Sequence, residues 1–114
     1  ELRIARQHWP GPLTILLRPK TGIAARSLGA KKIGVRVPSH AVARSVAKKL
    51  KSPITATSAN RSGEPPTKSR RALKREFPGI LIVPGRCGRQ SRPSTIIEVE
   101  KTSIRIIRQG SVHV

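Results

Sequence analysis

An α/β domain with a mixed sheet is the fold class this sequence predicts, on three observations. Short apolar runs recur along the chain, separated by polar stretches that carry Pro and Gly. Some runs alternate with the period of a strand, while others space their apolar residues four apart, as a helix face requires. No internal repeat and no linker interrupts the pattern, and 114 residues form one domain at most.

Residues 13–17 (LTILL) read as a buried strand closed by Arg18-Pro19. Residues 33–37 (IGVRV) alternate and stop at Pro38. Ser39 is placed to cap a helix over residues 40–51, with Val42, Val46 and Leu50 on one face and Arg44, Lys48 and Lys51 opposite. Lys48 and Lys51 suit the negative end of its dipole. Residues 54–57 predict a short strand running into a polar loop, Ser58 to Pro66. A second helix is expected over residues 68–77, capped by Thr67, with Leu73 and Phe77 inward. Its first turn holds Lys68, Arg70 and Arg71, where the dipole favours acids; a bound anion or compositional drift accounts for this. Residues 80–83 predict a buried strand. Residues 95–99 and 104–108 predict two more, joined by a polar turn near Lys101-Thr102-Ser103.

Charge is the strongest compositional signal. The chain carries 24 Lys and Arg against five acids, all of them Glu, for a net +19. Such a field attracts polyanions and makes their binding salt-dependent, which points to nucleic acid as a partner. Trp9 and Phe77 are the only aromatics, so the chain lacks the aromatic platforms on which single strands stack. The single cysteine, Cys87, excludes an internal disulfide and a cysteine zinc cage, and fits a reduced, cytoplasmic setting. It lies in the loop Gly85-Arg86-Cys87-Gly88-Arg89, where neighbouring cations favour the thiolate. No run approaches the length of a membrane span.

Common site signatures are absent. There is no P-loop, no dinucleotide glycine fingerprint and no metal-ligand spacing among His8, His40 and His113. The few Glu do not pair as acid and base. No side chain is therefore assigned a catalytic or metal-ligating role, and the chemistry available is positioning and charge stabilisation.

Five short segments remain, the first of them structural. Trp9-Pro10-Gly11-Pro12-Leu13-Thr14 is a rigid turn entering a strand, with Trp9 as a lid on the core. Val35-Arg36-Val37-Pro38 sets one cation in an apolar strand, where it needs an acid or a bound anion. Thr55-Ala56-Thr57-Ser58-Ala59-Asn60-Arg61-Ser62-Gly63 crowds hydroxyls and an amide at a strand end, either a ligand loop or a turn capped by its own side chains. Arg92-Pro93-Ser94-Thr95 and Ile107-Arg108-Gln109-Gly110 repeat the theme at further strand ends. Together these termini predict a convergent anion site.

In order and spacing, the Trp9–Thr14 turn, Val35-Arg36-Val37-Pro38 with His40, Ser58-Ala59-Asn60-Arg61-Ser62-Gly63, Pro93-Ser94-Thr95 and Arg108-Gln109-Gly110 resemble the YrdC-like family of L-threonylcarbamoyladenylate synthases. The resemblance implies a twisted mixed parallel and antiparallel sheet with flanking helices around a positively charged cavity. It implies a nucleotidyltransferase reaction that joins L-threonine, bicarbonate and ATP, with Mg2+, into threonylcarbamoyl-AMP and pyrophosphate. Partner proteins then pass the threonylcarbamoyl group to tRNA. Carried over by motif, Arg36, Ser58 and Ser94 contact threonine, and Lys32, Ala56, Asn60, Pro66 and Arg108 line the nucleotide; Pro66 offers only its carbonyl. Family members begin with a further segment, bearing a Thr-rich strand and a Lys-x-Arg motif, that is not seen ahead of the Trp9–Thr14 turn here, so residues 1–114 are expected to be the C-terminal portion of one such domain. The alternatives are a non-catalytic basic RNA-binding module of the same fold and the related domain of hydrogenase-maturation carbamoyltransferases. The set Ser58, Asn60, Ser94 and Arg108 favours the synthase.

Overall fold

The structure, a computed structural model, describes residues 2–19, 31–87, 92–101 and 103–114. The chain divides into two compact units, Glu1–Ser45 with Gln90–Val114, and Val46–Arg89.

The first unit is built on a four-stranded sheet in the order β2-β1-β3-β4, where β1 is Leu13–Leu17, β2 Ile33–Val35, β3 Thr95–Val99 and β4 Ile104–Arg108. β1 and β3 run parallel, while β2 on β1 and β4 on β3 are antiparallel. The mixed sheet expected from the sequence is present. β2 stops two residues short of the expected end. Register pairs Ile15 with Val35, and the ladder ends before the next pair, Thr14 with Arg36. One bond survives beyond it, from Gly11 N–H to the Val37 carbonyl at 2.8 Å.

Alternation divides the sheet into two faces. Leu13, Ile15 and Ile97 form the core, all at most 1 % exposed, with Leu17, Val99 and Trp9 packed around them. Each such side chain contributes roughly 1.5–3 kcal/mol by leaving water. Helix α1 (Leu2–His8), which the sequence pattern does not announce, joins this core through Ala5 and Ile4. It is seven residues long, and its last turn carries Arg6 and His8 at the negative dipole end. Trp9 acts as the expected lid, and its indole Nε1–H donates to the Leu13 carbonyl at 2.7 Å. The Trp9–Pro10 peptide bond is cis. Gly11 is obligatory, because a Cβ there would lie 2.2 Å from the His8 carbonyl oxygen.

Helix α2 (Ala41–Leu50) is shorter by one residue at each end than the 40–51 expected. Its stop is a Schellman arrangement: Lys51 takes φ 51°, its N–H reaches the Lys48 carbonyl at 3.2 Å, and the Ser52 N–H reaches Ala47 at 3.4 Å. Val42 and Val46 are half-buried, but Leu50 is 62 % exposed.

In the second unit, helix α3 (Arg70–Glu76) starts two residues later than expected. The cap is Ser69, not Thr67: the Ser69 Oγ accepts from the Ala72 N–H at 3.2 Å, while Thr67 Oγ1 accepts from Ser69 N–H. Pro78 disfavours helical backbone at Phe77 and ends the helix there. Arg70 in its first turn donates to the Gly85 carbonyl. The strands expected at 54–57 and 80–83 are not formed. Ile54, Ile80 and Val83 are each 48 % exposed, and no described strand pairs with either run. An apolar run becomes a strand only when a neighbour takes its backbone hydrogen bonds. Gly88, Arg89 and Thr102 lie outside the described residues. No described helix is long and apolar enough to cross a membrane.

Candidate functional site

The sheet face opposite the core is polar and cationic. Register sets Gly34, Leu16 and Glu98 in one row across β2, β1 and β3, with Arg105 next to Glu98 on β4. Thr14 and Ile96 form the next row. Strict alternation of Ile104-Arg105-Ile106-Ile107-Arg108 would send Arg105 and Arg108 to opposite faces. A bulge prevents this: Ile97 pairs with Ile106 but Ile96 pairs with Arg108, so Ile107 is the extra residue. One inserted residue flips every position beyond it, and Arg108 joins Arg105 on the polar face.

At one end of that face three motifs meet. Ser94, 9 % exposed, holds its Oγ 2.9 Å from Thr14 Oγ1. The Arg108 guanidinium donates to the Ser94 carbonyl from Nη2 at 2.9 Å and from Nε at 3.3 Å, and Nη2 lies 3.4 Å from the Ser94 hydroxyl. Arg36 stands one residue beyond β2 rather than inside the strand, and its Nε donates to the Gly11 carbonyl at 2.9 Å. Among the described residues no carboxylate pairs with Arg36. Desolvation by partial burial lowers its pKa, yet the guanidinium stays charged at neutral pH. β2 and β4 present their carboxyl ends here, and β1 and β3 their amino ends.

Lys32 lies beyond the other end of β2, ion-paired with Glu98. Of the PST motif, Thr95 serves the fold rather than a ligand. It is fully buried, donates to the Val112 carbonyl at 2.6 Å and accepts from the N–H groups of Gly110 and Val112, each at 3.1 Å.

Ala56, Ser58, Asn60 and Pro66 belong to the second unit. Ala56, Ser58 and Pro66 are exposed. Asn60 is the organised residue of its loop. Its amide Nδ2 donates to the carbonyls of Arg61 at 2.9 Å and Glu64 at 2.8 Å, around a turn with Gly63 at φ 85°. Its Oδ1 is buried with no hydrogen-bond partner among the described residues. Both amide donors serve the loop, and an acceptor is left over. The one described acid in reach of Arg61 is Glu76, at 3.4 Å.

Among the described residues no three His, Cys, Asp or Glu side chains gather as a metal site.

These motifs lie on a chain that a family model covers almost end to end: Sua5_yciO_yrdC, described as telomere recombination, matches residues 1–110. The chain belongs to the Sua5–YciO–YrdC family. A threonylcarbamoyl-AMP synthase from Neisseria gonorrhoeae is 42 % identical over 98 residues, which are 83 % of this chain and 52 % of that protein. A solved structure of a P. abyssi Sua5 variant (H234A/Y235A) superposes with TM-score 0.83 at 30 % identity, over 96 % of this chain and 35 % of that one. P. abyssi Sua5 complexed with L-threonine superposes with TM-score 0.80 at 29 % identity, over 96 % of this chain and 33 % of that one. The chain spans about half the length of the synthases it matches. The Sua5–YciO–YrdC sheet thus brings Ser94, Thr14 and Arg108 into contact and sets Arg36 at the same end, while Lys32 stands at the other.

Sequence reasoning passed over Thr14, Glu98 and Arg105. Thr14 stands in a segment whose Pro and Gly mark a structural turn. The signal for Glu98 was available, since an acid between Ile97 and Val99 in so basic a chain needs a reason to be there.

Proposed function

We propose that this chain is the C-terminal portion of an L-threonylcarbamoyladenylate synthase, a nucleotidyltransferase that forms threonylcarbamoyl-AMP and pyrophosphate from L-threonine, bicarbonate and ATP. The product feeds tRNA modification in the cytoplasm. One observation carries the reading: Arg36, Ser94 and Arg108, from three separate motifs, converge at one end of the sheet's polar face. The synthase names of the relatives and the threonine bound to P. abyssi Sua5 support it.

The chain's own groups suit the task. Among the described residues no carboxylate pairs with Arg36, which keeps terminal N–H donors for the carboxylate of threonine. The Ser94 hydroxyl, fixed by Thr14, is a neutral donor beside it. Arg108 and Lys32 offset charge on the polyphosphate, and Asn60 lines the nucleotide. Ser58 assists with threonine, while Ala56 and Pro66 supply backbone to the nucleotide. Mg2+ would accompany ATP and supply charge neutralisation of the phosphates; among the described residues no group of three His, Cys, Asp or Glu gathers to hold it. Pyrophosphate release with threonine, bicarbonate and Mg2+ tests the assignment. The 114 residues alone are expected to show none, and the protein at the length of its relatives robust turnover. No pyrophosphate from the longer protein refutes the assignment.

RNA is the proposed macromolecular partner, on the net charge of +19 and on α3, where Arg70, Arg71, Lys74 and Arg75 face a single acid, Glu76. Binding of tRNA or double-stranded RNA is expected to weaken on the order of a hundredfold between 50 and 200 mM salt with little sequence preference. Affinity independent of salt, in a filter or anisotropy titration, rules the electrostatic account out.

A further inference from the structure

Glu98 is the anomaly of the cationic face. The chain has five acids, and this one sits in the middle strands of the sheet with its side chain 11 % exposed, where a carboxylate loses most of its hydration. It is not left unpaired. One oxygen takes Lys32, which leads into β2, and the other takes Arg105 from β4. A single carboxylate therefore gathers a cation from each flank of the sheet onto one face. Arg105 also reaches Glu100, at 3.5 Å. Lys32 has three N–H donors and Arg105 five, so each keeps donors after its bond to Glu98. Along β3 the distance from Ile96, opposite Arg108, to Glu98 is two residues, about 7 Å, comparable to the span of a polyphosphate.

We infer that Glu98 is a positioning residue for the nucleotide's phosphates: it holds Lys32 and Arg105 as a two-cation cradle on the polar face, with Arg105 a phosphate contact in its own right. The inference rests on reading that face as a nucleotide site. Two physical accounts of Glu98 predict opposite signs. If only net charge mattered, removing an anion next to a polyphosphate would tighten binding. If Glu98 positions the cations, removing it frees Lys32 and Arg105 to wander into solvent, and binding weakens although the site has become more positive.

Calorimetric titration of the protein with ATP and with threonine separately decides between them. Glu98→Gln is expected to raise the ATP Kd about tenfold and leave the threonine Kd within about twofold, the scale of one charge-assisted hydrogen bond. Glu98→Asp, which keeps the charge, should recover part of the loss. In a Lys32→Ala, Arg105→Ala background Glu98→Gln should add nothing further. Arg105→Ala alone removes the exposed member of the cradle while Lys32 still pairs with Glu98, and should weaken ATP several-fold with threonine binding within about twofold. Tighter ATP binding by Glu98→Gln overturns the inference. So does parallel loss of ATP and threonine with a lowered melting temperature, which would mark Glu98 as structural. An unmodified protein at the length of its relatives that binds no ATP overturns the nucleotide reading itself, an outcome distinct from both.

Discussion

Gly110→Ala is expected to destabilise the protein by about 3 kcal/mol, the upper end of what overpacking costs. A Cβ at Gly110 would stand 2.3 Å from the Pro93 carbonyl oxygen and 2.5 Å from both Ser94 C and Thr95 N. All three are backbone atoms, so no side chain can swing aside. Nor can the backbone retreat. The Thr95 N–H is tied to the Pro12 carbonyl at 3.0 Å, and Pro93 accepts from the Ser111 N–H at 3.1 Å. For a chain of this size that loss lowers the melting temperature by roughly 12–24 °C. Thermal unfolding followed by circular dichroism measures it, and a Gly110→Ala protein melting within a few degrees of the parent would show that the corner yields.

Thr95→Val should fail at the same corner for a different reason. Valine keeps the shape but removes the hydroxyl that accepts from Gly110 and Val112 and donates back to Val112. Buried polar groups left without partners cost about 1–3 kcal/mol each. Thr95→Ser, retaining the hydroxyl, should melt close to the parent. The pair matters for function because Gly110 and Thr95 fix the backbone on which Ser94 and Arg108 sit. Two of the motifs singled out in the sequence are thus held to each other by their Gly and Thr, and again by Arg108 on Ser94.

What the sequence made legible follows from where its information is local. β1, β3 and β4 stand where the apolar runs predicted them, because each run finds a neighbouring strand for its backbone. The runs at 54–57 and 80–83 look alike on paper, yet pairing is decided by what lies alongside, which periodicity does not encode. The caps shifted by a residue or two, since Thr67 and Ser69 both bear hydroxyls and only backbone geometry chooses Ser69. Convergence of Arg36, Ser94 and Arg108 was legible as a set of polar strand ends. Its mechanism was not. The bulge at Ile107 that turns Arg108 to the polar face leaves no mark in Ile-Arg-Ile-Ile-Arg. The polarity of Asn60 was likewise hidden, because it depends on two loop carbonyls that consume its amide hydrogens.

Arg36→Ala and Ser94→Ala are expected to weaken threonine binding more than ATP binding, and Arg108→Ala the reverse. Each removes a contact worth on the order of 1.5–3 kcal/mol, so the affected Kd should rise about tenfold to a hundredfold. Arg36 is the sharper probe of the threonine side. Its Nε is spent on the Gly11 carbonyl, so its plane is fixed while its terminal nitrogens have no carboxylate partner among the described residues. Lysine should not replace it, being unable to make both contacts from one rigid fork. Arg108 differs because it rests on Ser94 through three contacts. Its removal should also loosen the Ser94 hydroxyl and cost threonine a few-fold, an amount that disappears in a Ser94→Ala background. That non-additivity is the signature of one network serving two ligands. Calorimetry with each ligand separately, on variants whose melting temperatures match the parent, reads all of it. Equal loss of both ligands in a folded Arg36→Ala protein would refute the division of roles. Unchanged binding in all three variants would leave the polar face without a small-molecule ligand, and the chain would then be better read as a basic RNA-binding module on the same sheet.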